Sequence, residues 1–128
     1  MDTQRSVLIV DSSEETREVL QTALQRRGMQ TFSASRAQAG LELARRHHPD
    51  LIVLDLELDE SAADELSAPF AEHSRVDHTS LVMLGSVCRS RAGSAREEFV
   101  AKPYHYGPLI RRIEELLDSS PLPLERSA

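Results

Sequence analysis

Short apolar runs alternate with longer amphipathic stretches along most of this chain. Val7–Val10, Leu51–Leu54 and Leu81–Leu84 are apolar without alternation, as strands covered on both faces require. The first two end directly in aspartates, Asp11 and Asp55. Ser6–Val10 is therefore the first strand, about Met29–Ala34 a weaker second and Phe99–Ala101 a short fifth. Between them the period lengthens. Ser12-Ser13-Glu14-Glu15 has the form of a capping box from Ser12 to Glu15. Val19, Leu20, Ala23 and Leu24 then recur at helical spacing, and Arg26, Arg27 and Gly28 form a stop. A second helix opens at Ser35 with Gln38 three residues on, carries Ala39, Leu41, Leu43 and Ala44, and ends near His47–Pro49. Ser61–His73 suits a third, carrying Ala62, Leu66 and Phe70, with Pro69 expected to break or kink it. The last helix opens at Gly107-Pro108, and Leu109, Ile110, Ile113, Leu116 and Leu117 mark one face.

Strands alternating with helices imply an α/β domain, a doubly wound parallel sheet with helices on both sides. Ligand sites in such sheets lie at the carboxyl ends of the strands, where Asp11, Asp55 and Lys102 all fall. One interval is irregular. Gly85–Glu98 must turn, form any helix and turn again, which leaves room for one or two helical turns or none. Residues 1–119 form the expected domain, and 120–128, with two prolines and no periodicity, a tail or linker.

Composition narrows the function more than the fold. The 128 residues suit one domain with a single sizeable core. No apolar run approaches a membrane span, and MDTQRS has no signal-peptide core. The single cysteine, Cys88, cannot form an internal disulfide, which fits a reducing, cytoplasmic location. A net charge of −6 argues against nucleic-acid binding by this domain. The pairs Arg26–Arg27, Arg45–Arg46 and Arg111–Arg112 lie late in, or within, helical patterns, where they favour the dipole or solvate a face. Fourteen of the fifteen basic residues are Arg, so the only Lys, Lys102, stands out. The turn after the first strand reads DSSEET, without the glycines of a nucleotide-binding loop. His47–His48, His73, His78 and His105 lack metal-ligand spacing.

VLIVD (Val7–Asp11), LIVLDLEL (Leu51–Leu58), LVMLGS (Leu81–Ser86) and FVAKPY (Phe99–Tyr104) occur in an order and at spacings that together resemble the receiver domain of two-component response regulators. Each motif alone is weak; the Lys-Pro pair after a fifth strand with both aspartates in place makes the combination specific. The resemblance covers roughly residues 5–118. It implies a five-stranded, flavodoxin-like fold, here with a short or missing fourth helix, and a signalling role rather than an enzymatic one. Asp55 aligns with the phosphoacceptor, which takes a phosphoryl group from the phosphohistidine of a histidine kinase or phosphotransfer protein. Lys102 aligns with the Lys that pairs with that carboxylate and then with the phosphoryl oxygens. Pro103 aligns with a proline usually preceded by a cis peptide. Asp11 aligns with the first residue of the acidic pair that helps hold Mg2+, and the backbone carbonyl of Glu57 with the remaining protein ligand.

Two departures stand beside these matches. Ser12 replaces the second acidic residue, and a hydroxyl is a poor Mg2+ ligand, so metal binding is weakened. Gly85 falls where the family places Thr or Ser, and Ser86 substitutes only if the strand end slips by one residue. Phe99 aligns with the aromatic whose rotamer follows that hydroxyl, though a core role suits it equally. Glu57, Asp59 and Glu60 read as solvated loop charges, with added negative potential near the site as the alternative. Two readings follow: a domain phosphorylated on Asp55 with an altered switch, or a pseudo-receiver that binds proteins independently of phosphorylation. Tyr104, Tyr106 and the last helix form a plausible face for an output domain or partner protein.

Overall fold

The computed structural model describes residues 4–58, 63–86 and 97–119. Five parallel strands, β1 (Ser6–Val10), β2 (Gln30–Ala34), β3 (Leu51–Asp55), β4 (Ser80–Gly85) and β5 (Glu97–Ala101), form one sheet in the order β2-β1-β3-β4-β5. Among the described residues four helices cover it: α1 (Glu14–Arg26), α2 (Ala37–His47), α3 (Ala63–Asp77) and α4 (Tyr106–Ser119). This is the doubly wound sheet that the pattern of runs predicts. The predicted short segment between β4 and β5, Cys88, Asp59, Glu60 and the 120–128 tail lie outside the described residues.

Because side chains alternate along a strand, a run apolar throughout supplies both layers at once. Val7 and Ile9 of β1 face the layer closed by Leu20 and Leu24 of α1 and by Leu109, Ile113 and Leu117 of α4. Leu8 and Val10 face the opposite layer, with Ala44 of α2 and Phe70 of α3. All four β1 side chains are fully buried, each contributing about 1.5–3 kcal/mol for a large apolar group. Gly40 of α2 lies over Val10, where an added Cβ would approach the valine Cγ2 to 2.6 Å. Its missing side chain lets the helix sit close on the strand that delivers Asp11.

Several boundaries differ from the sequence reading. The N-cap of α1 is Ser13, not Ser12: the Ser13 hydroxyl accepts from Thr16 N at 3.2 Å, and Ser12 is exposed. Ser35 does not cap α2, which starts after Arg36 without a side-chain cap. Pro69 does not end α3, which runs on to Asp77. The lost hydrogen bond is offset by burial of Leu66 and Phe70. Gly107 and Pro108 lie within the first turn of α4, which starts at Tyr106. Gly28 closes α1 as expected, with φ +85 and its N–H donating to Gln25 O.

The paired arginines do more than solvate. Arg112 grips Glu98 of β5 through Nε and Nη2 at 2.5 and 2.7 Å, and Arg27 meets Glu114 of α4 at 3.0 Å.

Candidate functional site

The order of the sheet places the site. Strand order reverses between β1 and β3: the chain steps outward one way from β1 to β2 and the other way from β3 to β4 and β5, and between these two parallel central strands the carboxyl ends open a crevice. The pairing Val10↔Leu54, Asp55↔Leu84 and Gly85↔Ala101 brings the last residues of β1, β3, β4 and β5 level. Asp11, Asp55 and Lys102 therefore share one rim, although 47 residues separate Asp55 from Lys102.

Both aspartates are buried, at 3% and 4% exposure. Each is held by the backbone that follows it: Asp11 Oδ1 accepts from Ser13 N at 2.9 Å, and Asp55 Oδ1 from Glu57 N at 3.0 Å. Arg17 donates to the Asp11 carbonyl at 2.7 Å, a contact with no sequence signal beyond its place in the first turns of α1. Lys102 reaches from β5 across the end of β4 and donates to Asp55 Oδ1 at 2.8 Å. Burial works against its ammonium, but the hydrogen bonds to Asp55 and Glu57 prevail and hold its pKa above the ordinary 10.5. Burial pushes the Asp11 carboxyl above 3.8; the Ser13 N–H opposes this and the Asp55 charge adds to it. The Lys102–Pro103 peptide is cis.

Two buried carboxylates side by side, one of them pushed up by burial and by its neighbour, suit a hard divalent cation, which takes oxygen ligands. No group of three or more His, Cys, Asp or Glu side chains converges as a metal site among the described residues. Asp11 and Asp55, with the Glu57 carbonyl, would hold Mg2+ together with water and phosphoryl oxygens; the ion would supply charge neutralisation. Ser12 adds no carboxylate.

Gly85 is the last residue of β4, so the strand does not slip to place Ser86 there. A Cβ built on Gly85 would lie 3.4 Å from Phe99 Cε1 and from Leu56 Cδ1, ordinary contact distances. Phe99 thus packs beside the vacant side-chain position, within the α2–α3 layer.

Glu57 corrects the reading of a solvated charge. Its Oε1 accepts from Lys102 Nζ at 3.2 Å and its Oε2 from Ser86 N at 2.9 Å. Hydrogen bonds from Ser86, then from Lys102, lower its pKa to about 2. Ser86, Lys102, Pro103, Tyr104 and Tyr106 line an open groove beside the pair. Tyr104 and Tyr106 meet edge to face at 5.9 Å, and the Tyr106 hydroxyl lies 3.3 Å from Thr16 Oγ1. Two of the histidines make structural contacts: His47 stacks on Phe32, and His48 Nδ1 lies 2.6 Å from Asp77 Oδ2.

A parallel five-stranded sheet with two aspartates and a cross-strand lysine at its carboxyl rim is the layout of a receiver-type signalling domain. The chain belongs to the response regulator receiver domain family, matching it over residues 7–114. It is 29% identical over 119 residues to the polar-differentiation response regulator DivK of Brucella ovis, covering 88% of this chain and 96% of that one. The same fold appears in the chemotaxis protein CheY4 of Vibrio cholerae (TM-score 0.72, 21% identity, 88% and 98% of the two chains). It appears again in a two-component response regulator of Clostridium difficile (TM-score 0.75, 17% identity, 91% and 98%).

Proposed function

We propose that this receiver domain takes a phosphoryl group on Asp55 from a phosphohistidine of a histidine kinase or phosphotransfer protein. An Asp55 carboxylate oxygen attacks phosphorus, a P–O bond forms, and the P–N bond breaks with its electron pair returning to the imidazole. The observation that carries this reading is the Lys102 Nζ–Asp55 Oδ1 contact at 2.8 Å, beside the second buried carboxylate, Asp11. Transfer of this kind needs positioning and charge neutralisation, which the Lys102 ammonium supplies and a divalent ion held by the two aspartates would add to. The domain acts as a phosphorylated signalling partner, not as an enzyme turning over a small substrate, and it works in the cytoplasm. No helix among the described residues is long and apolar enough to cross a membrane.

The test is direct. Incubation with Mg2+ and a small acyl-phosphate donor should add one phosphoryl group by intact mass, and Asp55→Asn should abolish it. A gain that survives Asp55→Asn would sink the assignment. A second reading, a pseudo-receiver binding its partner without phosphorylation, is favoured by Gly85, which offers no hydroxyl. Silence of the wild-type chain, and of the Glu57 variants below, would select it.

A further inference from the structure

The donors that a phosphoryl group on Asp55 would need are already bound to an anion. Lys102 Nζ, 2.8 Å from Asp55 Oδ1, also holds Glu57 Oε1, and the other oxygen of that carboxylate takes the Ser86 N–H. A carboxylate bridging an ammonium and a backbone N–H presents two oxygens to two donors, as a phosphoryl group does with two of its three. Glu57 is tethered two residues past Asp55, and its own N–H is on Asp55 Oδ1, so the bridge lies against the acceptor.

We infer that the Glu57 carboxylate is an internal competitor for the phosphoryl-binding donors Lys102 and Ser86, and swings out to solvent when a phosphoryl group arrives on Asp55. The inference rests on the reading of Asp55 as the acceptor. Glu57 is suited to this movement because its side chain is 45% exposed, so leaving needs no repacking of the core. Its departure frees the Ser86 N–H and hydroxyl just past the end of β4, next to Gly85, which has no hydroxyl of its own. Eviction of one anion by another thus gives that strand end a phosphorylation-dependent contact. The groove lined by Ser86, Lys102, Tyr104 and Tyr106 lies beside it, so the change also alters the charge that a bound partner meets.

Phosphorylation by the small acyl-phosphate donor with Mg2+ is followed by intact mass on the wild-type chain, Glu57→Gln and Glu57→Ala. Glu57→Ala should gain its phosphoryl group about two- to fivefold faster, the scale of a half-exposed ion pair removed from competition. Glu57→Gln, which keeps an oxygen acceptor without the charge, should fall between. The Ser86 amide resonance should shift on phosphorylation of the wild-type chain, as one anionic acceptor replaces another, and shift further in Glu57→Ala, where the amide passes from solvent to the phosphoryl group. Equal or slower labelling of Glu57→Ala, with the wild-type chain labelled, overturns the inference and leaves Asp55 as acceptor. No labelling of any of the three proteins overturns both.

Discussion

Polar groups gather at both ends of this sheet, and the two ends use them in opposite ways. At the amino end they tie the chain to itself. Asp50 Oδ2 accepts from Ser6 N at 2.9 Å, and Asp50 N donates to Ser6 O at 2.9 Å. Ser80 N donates to Asp50 O, Thr79 Oγ1 to Pro49 O, and Ser74 Oγ to Thr79 O. These contacts join β1, β3, α3 and β4 through neutral or singly charged groups with backbone partners. At the carboxyl end, Asp11 and Asp55 are buried as neighbours, one lysine serves two carboxylates, and Glu57 is held by donors that suit a different anion. A fold whose amino end is closed by such contacts can tolerate unbalanced charge at the other end. Under the proposed function, that excess is what would hold a cation and accept a phosphoryl group.

The largest separation between the two ends should come from matched substitutions. Asp55→Asn should remove all phosphoryl uptake while leaving the melting temperature close to wild type. Asparagine keeps an oxygen for Lys102 and Glu57 N, and the repulsion on Asp11 disappears. Asp50→Ala should do the reverse. Loss of a charge-assisted bond to Ser6 N costs about 1–3 kcal/mol, roughly 3–6 °C per kcal/mol in a chain of this size, with labelling of the folded protein retained. Thermal melts and intact mass on both variants check the pair. A large loss of stability in Asp55→Asn would break the comparison.

A smaller effect should follow from restoring the missing hydroxyl. Since an added Cβ at Gly85 meets Leu56 and Phe99 at ordinary contact distances, Gly85→Ser should fold with stability within about 1 kcal/mol of wild type. Its hydroxyl gives phosphoryl oxygens a donor that Glu57 does not occupy, so the phosphorylated form should decay more slowly, by about two- to fivefold for one hydrogen bond. Time courses of intact mass after removal of the donor read this out.

How far such a site is legible in a sequence depends on the range of its contacts. The strands and the positions of Asp11, Asp55 and Lys102 follow from local runs, because an apolar strand ending in a charged residue marks a strand end by itself. Whether Ser12 or Ser13 caps α1 does not follow, since Ser12–Glu15 satisfies one pattern and Ser13–Thr16 makes the bond. Pro69 reads as a breaker because local propensity cannot register that Phe70 is driven into the core. Glu57 is the instructive case. Its donors lie 29 and 45 residues away, and nothing around Leu56-Glu57-Leu58 separates a clamped carboxylate from a solvated one.

The smallest expected effect concerns Asp11, and its sign is fixed by burial. Desolvation raises its pKa in the folded protein above the ordinary 3.8, and the neighbouring Asp55 charge adds to the rise. The folded state therefore holds this proton over a window in which the unfolded chain has already released it. As pH climbs from 3.8 through the raised value, the unfolded state gains relative to the folded one, and above that window the penalty is fully present. Asp11→Asn should consequently raise the melting temperature slightly at neutral pH, with Asn Oδ1 still accepting from Ser13 N. The gain should shrink as pH falls through the window and vanish below 3.8, where both states of the wild-type residue are protonated. Mg2+ should erase the difference from the other side, stabilising the wild-type chain more than the variant because two carboxylates hold the ion better than one. A neutral-pH gain that persists unchanged at low pH would place its origin in packing, and the contrast between the two ends of the sheet would then rest on Asp55 alone.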